Sequence, residues 1–206
     1  MFQLSAMGQW ALIVGFSLIH SPAADEELKP VPIRDGVVAL SPETCRIEFI
    51  GTHVGPTPDP NARLGHFGNF AGRIGVDVAK GCLTEVVVEV DILSVSTFSP
   101  NLTKHLLSPD FFKSDDYPGA KFTSSEIRPG EAAGEAVIVG VLDMMGTKTS
   151  IEIPVKFSLD DQGLTLTGAI TLRRSQHGMD KMLERVNDEV PLKVFIGRPT
   201  NPEPRR

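Results

Sequence analysis

The amino-acid sequence predicts an all-β fold of about eight antiparallel strands, closed as a barrel or packed as a sandwich, with one or two short helices. Two observations carry this: apolar and polar residues alternate with period two, and turn residues fall at hairpin spacing between the alternating runs. Such alternation suits a strand whose one face meets a core or lumen while the other meets water. Closure also removes the unpaired edges that strands otherwise expose.

The first strand is expected over 45–53, where Cys45, Ile47 and Phe49 alternate with Arg46 and Glu48. A long loop over 54–66 follows, carrying three prolines that cannot donate to a ladder. Strands over 70–78 and 83–95 come next; in the second, Val86, Val88, Val90 and Ile92 alternate with Glu85, Glu89 and Asp91. Residues 99–112 read as a capped helical turn, with Ser99 ahead of Pro100 and Leu102, Leu106 and Leu107 on one side. Arg128-Pro129-Gly130 ends a strand over 120–127, and another follows over 135–143. The turn Gly146-Thr147-Lys148 leads into a strand over 149–159 with Ile151, Ile153, Val155, Phe157 and Leu159 on one face. Asp160-Asp161-Gln162-Gly163 then opens the strand 164–174, whose inward face runs Leu164, Leu166, Gly168, Ile170, Leu172 and, by parity, Arg174. A second short helix is expected over 179–189 and a last strand over 190–197. No internal repeat or second domain is visible, so one domain is assigned to 37–197.

The ends read differently. Residues 1–24 contain no Asp, Glu, Lys or Arg, and Trp10–Ile19 is an apolar run too short to span a bilayer core of about 30 Å. With Ser21-Pro22-Ala23 after it, this is a secretory signal over 1–23, although no Lys or Arg precedes the run. An uncleaved anchor is the alternative. Cleavage would leave 183 residues, enough for one domain with a sizeable core. Residues 24–36 form an acidic leader without periodicity, and 198–206 a Pro-rich tail expected to be disordered. The expected location is the periplasm or the exterior.

A formal net charge of −6 supplies no electrostatic footprint for nucleic acid or an anionic surface. After signal removal nothing approaches membrane-spanning length. The two cysteines, Cys45 and Cys82, open different strands. With one strand between them they would be about 9.6 Å apart, beyond disulfide reach, so free or buried thiols are expected. Enzyme signals are thin. His53, His66, His105 and His177 have no metal-ligand spacing, and neither HExxH, CxxC nor GxSxG occurs. No catalytic residue, metal or cofactor is assigned.

One run is distinctive: His105-Leu-Leu-Ser-Pro-Asp-Phe-Phe-Lys-Ser-Asp-Asp-Tyr-Pro-Gly-Ala-Lys-Phe-Thr-Ser124. Its phrasing, HL-x-S-x-DFF-x-x-x-x-YP-x-A-x-F-x-S, resembles the signature of the YceI-like family. Further likeness lies in Phe49–Gly55, in Gly65–Ile74, in Ile138–Leu142 with Gly146, and in Arg174-Ser-Gln-His-Gly178. The resemblance spans about 38–197. It departs from the family at Leu102-Thr103-Lys104 before His105, at Asp143, at Arg173, and at His177, where an aromatic usually precedes the glycine.

The resemblance implies an exported bacterial protein with an eight-stranded, lipocalin-like antiparallel barrel. It also implies a partner, an isoprenoid or other long-chain lipid of the quinone or polyprenyl phosphate type. The residues expected to line such a lumen are Phe49, Val88, Val90, Leu106, Phe111, Phe112, Phe122, Leu166, Ile170 and Arg174. Arg174 has two readings: a contact to a ligand's polar head, or a strut past the strand's end bonded to backbone carbonyls or Asp110. Phe111 and Phe112 either line the tunnel or plug the barrel's end. Tyr117-Pro118 reads as turn geometry, and His105 as a locally bonded residue. The second functional class is a non-catalytic envelope stress or interaction protein whose barrel is filled by its own side chains. Oligomeric state stays open, a homodimer included.

Overall fold

The computed structural model describes residues 27–55 and 62–200. The expected signal over 1–23 and the segment 201–206 lie outside the described residues. One antiparallel sheet dominates, with twelve strands: β1 Ile33–Arg34, β2 Val37–Leu40, β3 Cys45–Gly51, β4 Arg63–Phe67, β5 Phe70–Asp77, β6 Cys82–Asp91, β7 Val95–Thr97, β8 Gly119–Pro129, β9 Glu135–Met144, β10 Thr147–Asp160, β11 Gly163–Arg173 and β12 Glu189–Ile196. All eight expected strands are present. The four additions are short, and runs of two to five residues carry too little alternation to be read. β4 begins inside the expected Pro-rich loop and ends one residue past it, and Gly65 interrupts its apolar face.

The strand order is β1-β2-β5-β6-β8-β9-β10-β11-β12-β3-β4-β7. β4 and β5 are halves of one bent strand, β6 and β7 of another, and the two form a ribbon that turns a corner. At the corner the Gly68 N–H donates to the Ser94 carbonyl (3.0 Å), and the Asn69 N–H to Ser94 Oγ (2.9 Å). Beyond it β4 pairs with β3, while before it β6 pairs with β8. The ribbon therefore ties the far end of the sheet to the near one, and the sheet curls into a half-barrel around an apolar interior.

The helix α1, Pro100–Leu107, follows β7 as expected. Ser99 caps it by accepting from the Leu102 N–H (3.4 Å), and Pro100 sits where its missing N–H costs nothing. The second expected helix, over 179–189, is instead a chain of turns. Met182 has φ +56°, and only Arg185 and Val186 bond back to its carbonyl. The carbonyls that a helix would need are directed elsewhere, toward Arg174. A 3-10 turn over Arg174–His177 precedes them.

Residues on both sides of 37–197 are hydrogen-bonded to it. Val31, 5 % exposed, exchanges two backbone hydrogen bonds with Leu164 (2.9 and 3.0 Å), and Lys29 donates to the Gly197 carbonyl (2.8 Å). Residues 29–34 of the expected leader are thus a strap across the end of the curled sheet. At the other end Arg198 is buried, and Thr200 bonds to Pro42 (2.7 Å) and, through its hydroxyl, to Cys45 (2.9 Å). Cys45 and Cys82 are both free, on β3 and β6, with five strands between them along the sheet rather than one.

Candidate functional site

The inward parity of the strands builds two adjoining apolar chambers. The first, about 130 Å³, is lined by Val88, Val90, Phe122, Leu166 and Ile170 among others. The second, about 160 Å³, lies beneath α1 and is lined by Phe49, Val90, Leu106, Phe111, Phe112 and Arg174. Ile47, Val90, Ala120, Leu142, Leu172 and Leu192 belong to both walls. The two chambers therefore adjoin across a shared wall. Each far exceeds the roughly 10–15 Å³ that one water needs, and an apolar wall gives water few partners. All ten expected site residues line one chamber or the other.

Two glycines keep the lumen open. A Cβ on Gly65 would overlap the ring of Phe49, and one on Gly140 would lie 2.6 Å from the ring of Phe122. Without those side chains, each ring lies flat against the neighbouring strand instead of standing into the cavity.

Of the two roles expected of Phe111 and Phe112, the structure shows the first: both line the second chamber. Phe112 meets Phe67 edge-on at 6.0 Å between centroids, and Phe67 lies 5.7 Å from Phe49. Phe111 takes the His105 ring edge-on at 5.0 Å. His105 in turn lies 3.3 Å from Asp110 and is bonded locally. The Tyr117-Pro118 pair lies in the connection before β8, where the Pro118 carbonyl accepts from the Ile92 N–H (2.8 Å).

Arg174 is 3 % exposed, and its guanidinium is spent on backbone. Nε donates to Asn187 (3.0 Å), one terminal nitrogen to Met179 and Lys181 (2.7 and 2.8 Å), and the other to Val186 (2.8 Å). Its face also lies 5.6 Å from the Phe111 ring centroid. Of the two expected roles, these bonds match the strut and not the head-group contact. Arg174 is the strut that holds the 179–188 connection, bonded to carbonyls and not to Asp110, because the strand ends at Arg173 and the chain wraps around the next side chain. Burial lowers its pKa, while Asp188, Asp180 and Glu184 favour its charge.

The residue that sequence reasoning passed over is His177. It lines the second chamber, is 1 % exposed, and its Nδ1 has no hydrogen-bond partner. Burial holds its imidazole below the ordinary value, so it is neutral at neutral pH. The only signal in the sequence was its place beside Gly178, where the family pattern has an aromatic. In the first chamber Cys45 is a wall residue, and burial pushes its thiol up, which makes it a poor nucleophile. Among the described residues no group of three or more His, Cys, Asp or Glu could hold a metal ion, and no helix is long and apolar enough to cross a membrane.

A curled antiparallel sheet around an apolar interior, with a short helix and a Phe pair lining one chamber, defines the class of protein. The YceI-like domain family matches residues 39–197, and the chain belongs to that family. A UPF0312 protein of Shewanella baltica strain OS155 is 30 % identical over 141 residues, covering 68 % of each chain. A UPF0312 protein of Photorhabdus laumondii is 34 % identical over 82 residues, 40 % of this chain and 42 % of that one. Among solved structures, Burkholderia cenocepacia BcnA superposes with TM-score 0.65 at 21 % identity, over 74 % of this chain and 94 % of its own. A polyisoprenoid binding domain from Saccharophagus degradans, implicated in plant cell wall breakdown, gives 0.55 at 12 % identity, over 78 % and 98 %. At these identities the structural likeness concerns the fold.

Proposed function

We propose that this chain is an exported, non-catalytic binding protein that holds an amphipathic isoprenoid, of the quinone or polyprenyl phosphate class, in its lumen. The observation that carries the proposal is the pair of adjoining apolar chambers, whose walls carry the expected lining residues. A long hydrocarbon chain gains on the order of 0.8 kcal/mol for each methylene it buries, and the wall offers it little else but dispersion contact. The family membership and the polyisoprenoid-binding neighbour support the same reading. A lumen filled by its own side chains would leave no such space, which weighs against the envelope-interaction alternative.

The direct test is native mass spectrometry of protein purified from its host envelope without detergent exchange. The expected result is a bound adduct that organic extraction removes and identifies as an isoprenoid. Protein that emerges at its apo mass from gentle purification, and that retains no added isoprenoid, would refute the proposal. The same purified material tests export, since N-terminal sequencing should begin after Ala23 and not at Met1.

A further inference from the structure

We propose that lipid enters and leaves the second chamber beneath α1, through a small apolar portal whose throat is Gly51. The inference rests on the lipid-lumen reading above and adds to it a route and a moving part. A pocket of about 70 Å³ shares Phe49, Gly51, Leu106, Phe111 and Val186 with the second chamber. The rest of its wall reaches the surface: His53 and Arg63 are exposed, and Thr97 and Leu102 are half-buried. Gly51 follows Phe49 on the inward face of β3 and borders both spaces. A Cβ there would meet only the Arg63 carbonyl, at 4.0 Å, an ordinary contact. The rings beside Gly65 and Gly140 exclude a side chain, but neither packing nor a positive φ requires glycine at Gly51. A glycine in a strand gives up packing and conformational stability. What the missing side chain supplies here is open space between chamber and surface.

The seal over this pocket is of a kind that yields. None of the residues of α1 is fully buried. Among the described residues, the hydrogen bonds it makes beyond itself run to its own flanks, Thr97–Ser99 and Ser108–Ser114. Across the pocket from β3 and Val186 it sets Leu102 and Leu106, and such contacts part without breaking a hydrogen bond. Other boundaries of the chambers are stitched by backbone. A surface groove over Tyr117 meets the first chamber across Phe70, Val90, Ala120 and Lys121. There Phe70 pairs with Val90 and Val90 with Ala120, so a passing chain would have to part a ladder. At the end beneath the strap, Val31 and Lys29 are bonded to Leu164 and Gly197. An isoprenoid tail has no group to replace a broken hydrogen bond, so it passes where the seal is apolar.

The test uses the full chain, stripped of lipid, with a tritiated long-chain polyprenol exchanged to and from phosphatidylcholine vesicles. Uptake rate, release rate and equilibrium retention are read separately. Leu102 lines the pocket and neither chamber, so its substitution should change the rates and not the retention. Leu102→Trp fills the pocket and should slow uptake and release together by about tenfold, the scale of displacing a few more buried carbons. Leu102→Ala should speed both. Gly51→Val, which suits a strand, should slow them as Leu102→Trp does. Val141→Trp, at an exposed position on β9, is the control and should leave both rates unchanged. Unchanged rates in Leu102→Trp and Gly51→Val, with polyprenol still retained, would overturn the portal and leave the lumen reading standing. Retention that falls in Leu102→Trp while its melting temperature holds would place Leu102 in the lipid's seat and overturn the portal equally. If the unsubstituted protein retains no polyprenol, the lumen reading fails and the portal with it.

Discussion

A guanidinium carries five N–H donors, and at Arg174 their direction decides the residue's role. From parity alone this side chain closes an apolar face and invites a ligand. In the fold it gathers four carbonyls from one connection, Met179 to Asn187. Arg174→Gln removes most of those bonds and leaves buried carbonyls unpaired. Hydrogen bonds to charged groups contribute roughly 1.5–3 kcal/mol each and do not add simply, so a loss of about 3 kcal/mol or more is expected. The measurement is the urea midpoint at constant slope. Arg173→Gln is the control, because that side chain is exposed and its ion pair with Glu189, at 3.5 Å, is exposed as well; its effect should stay within about 0.5 kcal/mol. Equal midpoints for Arg174→Gln and the parent would remove the strut.

Along an element, β11 is where the sequence pattern is tested most sharply. Its alternation places Ile170 on the lumen wall and Thr171 in solvent, and in the sheet they pair with Leu192 and Pro191 of β12. Ile170→Asp puts a charge into the first chamber among aliphatic neighbours and should destabilise by several kcal/mol or prevent folding. Thr171→Asp should be nearly silent. Thermal melts of the two variants check this, and matching midpoints would mean that the register of β11 is wrong by one residue. The missed strand β4 shows the opposite case. Its residue on the inner face opposite Phe49 is Gly65, the very feature that lets the ring lie flat, and a glycine carries no apolar signal.

For the whole molecule, the N-terminal strap decides how much of the chain the folded unit requires. The family match begins at residue 39, and the alternation also begins after the leader. The structure nevertheless seats Val31 against Leu164, itself fully buried, and pairs Ile33–Arg34 with Val37–Val38. Trimming the chain to residue 37 exposes that end of the core. Burying one valine contributes roughly 1.5–3 kcal/mol, so the trimmed protein should melt at a clearly lower temperature while keeping its far-UV β spectrum. An unchanged midpoint would show that the strap contributes nothing to stability.

The sequence by itself determined the all-β class, the eight longer strands, the capped helix before the Phe pair and the inward face of each strand. Those follow from local periodicity and turn chemistry, which neighbouring residues alone express. Six of the ten expected lumen residues, Phe49, Val88, Val90, Phe122, Leu166 and Ile170, lie on strands, where side-chain parity states which side chains share a face; Leu106, Phe111, Phe112 and Arg174 lie off the strands and came from the family resemblance. Only the tertiary structure decided that Arg174 is spent on backbone and that His177 is left with an unmet nitrogen. It also decided that residues 29–34 and 198–200 belong to the fold, and that the 179–189 segment is not helical. The ends and the 179–189 segment depend on partners distant in the chain: Val31 meets Leu164, Thr200 meets Pro42, and Asn187 N–H donates to Thr52. Hydrogen bonding between such partners leaves no periodic trace, because it is the curl of the sheet that brings them together.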